Sequence, residues 1–136
     1  MAAENTRIYM IVNTKEIQPG SVDKHVKFKD NRGNKEPQGD PVNFTSEVSA
    51  GKKVFWLGEP KDEQRDTIEI TGVKRKGDGP RLLQDIGSDP SHRGSYTAQV
   101  VDEYIEGLES YSLTFRIKGH KVEYEVDPKI RMVNVE

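Results

Sequence analysis

The chain has 136 residues, suited to a single domain spanning 1–136, with 32% hydrophobic and 32% charged residues. Its 21 basic and 23 acidic residues are intermixed and leave a net charge of −2, so no single-sign field draws nucleic acid or an anionic membrane. With no cysteine there are no disulfides, thiolate ligands or cysteine nucleophile.

The opening MAAENTRIYMIV lacks the basic n-region and the roughly 7–15-residue apolar core of a signal peptide, and no apolar run approaches the ~18 residues of a membrane span. A cytoplasmic protein is therefore expected, although a secreted mature chain would read the same way. Thr6 to Val12 (TRIYMIV) is a nearly continuous apolar run, the pattern of a strand covered on both faces near the middle of a sheet. Pro19-Gly20 marks a turn, and His25 to Lys29 is a short strand with Val26 and Phe28 inward. Asp30 to Pro41, rich in Gly, Pro, Asn and Asp, reads as an exposed loop.

Val42 to Val48 places Val42, Phe44 and Val48 inward, and Ala50-Gly51 turns the chain. Val54-Phe55-Trp56-Leu57 is the most hydrophobic knot in the sequence and is assigned to the core. Glu59 to Asp66 is wholly polar. Thr67 to Val73 alternates with Ile68 and Ile70 inward, and Gly72 suggests a bulge. Lys74 to Pro80 reads as a turn, Arg81 to Ile86 is too short to type, and Gly87 to Gly94 (GSDPSHRG) reads as a second exposed loop. Tyr96, Ala98 and Val100 form a further strand.

The clearest signal is Ser110 to Val126. Tyr111, Leu113, Phe115 and Ile117 alternate with polar residues, Gly119-His120 interrupts, and Val122, Tyr124 and Val126 alternate again. This predicts a β-hairpin with a type II′ turn at Gly119-His120. Ile117 then faces Val122, Phe115 faces Tyr124, Leu113 faces Val126, and Arg116 meets Glu123 on the other face. A slip of one residue would turn each apolar set outward, so the register is strongly specified. Asp127-Pro128 ends the hairpin, and Ile130 to Val135 follows as an edge segment. About seven to nine short strands with regular turn signals predict an all-β, two-layer antiparallel β-sandwich of the Ig/cupredoxin-like kind, with a closed barrel as the runner-up architecture.

The segment VSAGKKVFWLG (48–58) looks like the V-x-x-G-x-x-V-x-W strand of cupredoxin-like sandwiches. Taken with YSLTFRIKG (111–119) and VEYEVDPKIRM (122–132), it resembles the AidA/PixA family of bacterial inclusion-body proteins. Ile8, Met10 and Val12 match the opening strand, Gly51, Val54 and Trp56 the middle one, and Asp127, Pro128 and Ile130 the close. The resemblance implies a stress- or phase-linked accumulating protein, with no family catalytic residues to carry over.

The chemistry-bearing residues point away from an enzyme. Blue copper needs a Cys, which is missing, and His25, His92 and His120 lie in three contexts without metal-ligand spacing, so no metal site or cofactor is expected. No Gly-x-Ser-x-Gly elbow appears; Gly94-Ser95-Tyr96 opens a strand. The paired carboxylates Asp62-Glu63, Asp102-Glu103 and Glu123/Glu125 read as solvated charge. The loops at 30–34 and 77–79 do not match calcium-loop spacing, and Lys74-Arg75-Lys76 reads as a solvated turn.

Two functions are expected in order. The first is non-enzymatic self-association into an oligomer or filament through edge strands, with Ile130, Met132, Val133 and Val135 as contact residues and Thr6 to Val12 as a further edge. The second is binding of a glycan or small ligand by the loops at 30–41 and 87–94.

Overall fold

Alternating apolar and polar residues build ten strands in the computed structural model, which describes residues 4–18, 20, 22–31, 44–61, 65–77, 79–92 and 94–133. The strands are β1 (Thr6–Val12), β2 (Val26–Asp30), β3 (Thr45–Ser49), β4 (Lys53–Pro60), β5 (Ile68–Lys76), β6 (Leu83–Ser88), β7 (Tyr96–Val100), β8 (Leu108–Ile117), β9 (Glu123–Val126) and β10 (Lys129–Val133). The order β2-β1-β4-β7-β6 forms one sheet, here sheet A. Sheet B has the order β3-β10-β8-β5, and β9 pairs with β8. The all-β sandwich is as expected.

Two details differ from expectation. The strand beyond seven to nine is β6, where Asp85 takes a left-handed φ of 55° and the pairing with β7 shifts between Gln84 and Gly87. That bulge breaks the alternation by which a strand is recognised. The sheets are also mixed: β1 runs parallel to β4 and β3 parallel to β10. Side chains alternate with a period of two in either orientation, so the residue pattern carries no mark of strand direction.

The hairpin register is as predicted, with Phe115 opposite Tyr124, Leu113 opposite Val126 and Arg116 opposite Glu123. The turn is not. The His120 N–H donates to the Ile117 carbonyl at 2.9 Å, which centres the turn on Lys118-Gly119, with Gly119 at φ 89°. A positive φ at the third turn position suits a type II turn and glycine. The chain then runs irregularly to Glu123, leaving Val122 exposed while Ile117 pairs with Ile68 of β5.

The same register continues past the hairpin. The Tyr111 N–H donates to the Pro128 carbonyl at 3.2 Å, and Ser110 pairs with Lys129. β9 and β10 are thus one strand interrupted at Asp127-Pro128, where the Asp127 carboxylate accepts from Ser112 at 2.8 Å and meets Lys76 at 3.0 Å. Consequently β10 lies between β8 and β3, and β1 lies between β2 and β4. The edge role expected for Ile130 to Val135 and for Thr6 to Val12 is therefore corrected where ladders run on both sides, at Ile130 and Arg131 and from Ile8 to Val12, while Met132 and Val133 pair with β3 alone. Ile130 and Met132 face the core and Val133 is half-buried, while Val135, Val42 and the loop from 32 to 41 lie outside the described residues. Lys74 to Lys76 belong to β5, opposite Ser112 to Ser110 of β8, instead of to a turn.

The core is filled by inward residues of both sheets, with Trp56, Tyr111, Phe28, Phe44 and Phe115 the largest fully buried side chains. Trp56 of sheet A donates its indole N–H to the Tyr111 hydroxyl of sheet B at 3.1 Å, and the rings meet edge-on at 5.7 Å. Burial pushes the Tyr111 phenol far above its ordinary pKa, so it remains neutral. Polar contacts close the sides: Thr6 donates to the Glu47 carbonyl at 2.7 Å, and Ile70 N–H to the Gly94 carbonyl at 2.8 Å.

Removing the Tyr111 hydroxyl would leave the buried indole N–H without an acceptor. Tyr111→Phe should cost about 1–3 kcal/mol in urea unfolding. Trp56→Phe made in that background should add less than it does alone, because the hydrogen bond is already lost and the substitution removes the donor left unpaired.

Candidate functional site

The outer face of sheet A departs from the usual polar exterior of a sandwich. The parallel pairing of β1 with β4 sets Arg7 opposite Phe55 and Tyr9 opposite Leu57, all pointing away from the core. Tyr9, Ile11, Phe55 and Leu57 are each only half-buried. The Arg7 guanidinium lies 5.9 Å from the Phe55 ring centroid, and the Lys29 ammonium 5.7 Å from that of Tyr9. Cations over aromatic faces cover part of this apolar surface while their charges stay wet.

The loop after β6 folds over one end of that face. Asp89 opens it with an Asx turn, its Oδ1 accepting the Ser91 N–H at 2.9 Å. The Asp89 N–H donates to the Ser95 carbonyl at 2.9 Å, closing the base, and His92 N–H to the Asp89 carbonyl at 3.2 Å. The Gly94 carbonyl is tied to β5 through Ile70. Between loop and sheet runs a groove of about 450 Å³, lined by Arg7, Tyr9, Phe55 and Leu57 below and by Asp89, Ser91 and His92 at the side. That volume is in the range of small-molecule sites.

The 87–94 loop, expected from sequence to bind a ligand, thus supplies three of the lining residues. The floor residues Arg7, Tyr9, Phe55 and Leu57 were missed, because the excess of apolar residues in β1 and β4 reads as burial on both faces. The three histidines are not brought together: His25 ends a 3-10 turn, His92 lines the groove and His120 sits in the β8–β9 turn. Among the described residues no three His, Asp or Glu side chains gather as metal ligands, and no helix is long and apolar enough to cross a membrane.

No protein-family model and no curated protein matches this chain. Among solved structures it is similar to an inclusion body protein, PixA, from Burkholderia cenocepacia. The TM-score is 0.67 at 12% identity, and the match covers 98% of this chain and 97% of that one. The two share a fold along their whole length, in keeping with the family resemblance read from the sequence.

A second polar site lies inside the sandwich. The alternation of β8 carries Glu109 inward, where it is 2% exposed. Its Oε1 accepts the Leu82 N–H at 2.8 Å, and its Oε2 lies 3.5 Å from Arg75 Nε. Arg75 also donates to the Gly77 carbonyl at 3.0 Å and to the Gly79 carbonyl, so one guanidinium neutralises the carboxylate and holds the β5–β6 turn. Extending the period of Tyr111 two residues back would have revealed Glu109 in the sequence. Burial raises its carboxyl above the ordinary glutamate range, against the opposing Leu82 N–H and Arg75 charge.

The folded chain therefore holds this proton more tightly than the unfolded chain does. Stability from Glu109 is complete below the ordinary glutamate value and is lost as pH rises through the raised folded value. Glu109→Gln keeps an acceptor for Leu82 and abolishes the titration. In urea melts between about pH 4 and pH 8, the stability of the variant relative to the parent should improve with rising pH across that window; a constant difference would contradict the assignment.

Proposed function

We propose that this chain is a non-enzymatic β-sandwich that accumulates in the cytoplasm and acts by associating with copies of itself. The observation that carries the reading is the contiguous outward row of Tyr9, Ile11, Phe55 and Leu57 on sheet A, where a sandwich ordinarily presents polar residues to water. The shared fold with a protein described as an inclusion body protein supports the same reading.

The face is a better candidate for the contact than the edges of sheet A. β2 and β6 end sheet A, and pairing β2 with its copy about Phe28 would set Lys27 against Lys29 of the other chain. β6 is distorted by its bulge. Both are common means of blunting an edge. Apolar packing through the face needs no strand pairing, and the cations that lie on it, Arg7 over Phe55 and Lys29 over Tyr9, have long stems that let their charges stay in water at the rim. A self-complementary patch closes as a pair.

A second reading, binding of a glycan or other small ligand by the 87–94 loop, is favoured by the groove in which Asp89, Ser91 and His92 stand over Phe55 and Leu57.

Size-exclusion chromatography with light scattering tests the first reading. The mass should rise above that of a monomer as the concentration approaches about 1 mM, the weak end of specific association. Ile11→Lys combined with Leu57→Lys should move that rise about tenfold or more higher in concentration without changing the thermal midpoint greatly. A strict monomer throughout would remove the proposal.

A further inference from the structure

We infer that the groove over Phe55 and Leu57 is a site for a neutral saccharide: a pyranose ring lying on the apolar floor, with hydroxyls shared between the Asp89 carboxylate and the donors Arg7, Ser91 and His92. The inference rests on the second reading above and names its ligand.

The charges select the class. A carboxylate and a guanidinium line the same 450 Å³ space, so an anion would meet Asp89 and a cation would meet Arg7. A purely apolar ligand would strip water from both without replacing it. A neutral ligand with an apolar face and several hydroxyls satisfies every wall at once. The C–H bonds of a sugar ring carry the slight positive charge that the face of an aromatic ring attracts. Each sugar hydroxyl can donate to a carboxylate and accept from a cationic or hydroxyl donor, and hydrogen bonds to charged groups are the stronger kind.

Among the described residues the relevant groups are available. Oδ1 of Asp89 is used by the Ser91 N–H, which fixes the carboxylate and leaves Oδ2 open. The Arg7 guanidinium lies 5.9 Å from the Phe55 centroid, so a sugar ring takes the part of the Phe55 and Leu57 surface it leaves uncovered, with the Arg7 N–H groups at the rim. The loop needs little ordering on binding, since the Asp89–Ser95 and Ile70–Gly94 bonds hold its base and His92 is tied back by its N–H to the Asp89 carbonyl and by its carbonyl to the Ser95 N–H. An open groove with one apolar wall gives a dissociation constant on the order of millimolar for a single sugar.

Saturation-transfer NMR on the full chain tests this, with methyl glucoside, methyl galactoside and methyl mannoside as neutral probes and benzoate and inorganic phosphate as charged comparators. At least one glycoside should show saturation of its ring protons, weakened about tenfold or more by Asp89→Asn and by Phe55→Ala. Thermal melts confirm folding. Should Phe55→Ala not fold, Asp89→Asn, in a surface loop and with the Oδ1 acceptor kept, decides alone. Glycoside binding unchanged in Asp89→Asn overturns the assignment. Binding of benzoate or phosphate without any glycoside overturns the saccharide while leaving a small-ligand groove standing; no binding of any probe removes both. Light scattering on the same samples keeps self-association separate from either outcome.

Discussion

Five inward positions on β8, namely Glu109, Tyr111, Leu113, Phe115 and Ile117, alternate without a break, and the rest of sheet B takes its facing from them. β5 lies on one side of this strand and the interrupted β9–β10 strand on the other. A one-residue slip of either would turn its apolar set to water and leave the β8 row without a partner. The Asp127-Pro128 break does not relax the constraint. Proline lacks an N–H to give the ladder, but its carbonyl still accepts from Tyr111, so β10 enters in register and is carried inside the sheet.

This explains which parts of the fold could be read from sequence. Where alternation is regular, strand, facing and register were all legible, as in the hairpin and at the buried Trp56, and in β5 a glycine marked the bulge, which falls between Ile70 and Gly72. Where a backbone irregularity intervenes, the pattern fades. β6 contains a residue at positive φ, and β5 ends in Lys-Arg-Lys, whose charges resemble a turn although Arg75 turns partly inward to meet Glu109. Neighbours in a sheet were not legible at all. The parallel partners β1 with β4 and β3 with β10 are far apart in the chain, and nothing local records who lies beside whom.

The groove shows the same limit at the level of a site. TRIYMIV and KVFWLG are apolar on both of their alternating sets, and a sequence reading assigns both sets to burial. In the fold Ile8, Met10, Val54 and Trp56 fill the core, while Tyr9, Ile11, Phe55 and Leu57 gather outside because two parallel strands bring them side by side. The loop at 87–94 was recognisable by its Gly, Pro, Asp and Ser content, but its nearness to that face depends on the β6–β7 pairing and the tie from Gly94 to β5. A site assembled from three distant segments leaves only its separate parts in the sequence.

The outer row also bears on what kind of accumulation this fold permits. Growth through sheet edges adds strands, and a long open edge tends toward irreversible cross-β stacking. Here β1 and β10 are internal, β2 carries outward Lys27 and Lys29, and β6 is bulged, so edge growth of sheet A meets a filled ladder, like charge or broken register. Contact through the face asks no strand to exchange partners, because every backbone hydrogen bond of the sandwich stays in place while apolar side chains leave water. An assembly of that kind is governed by concentration and by whatever else occupies the face. A small ligand seated over Phe55 and Leu57 would compete with a second copy for the same surface, so the two proposed uses of this face are linked through mass action.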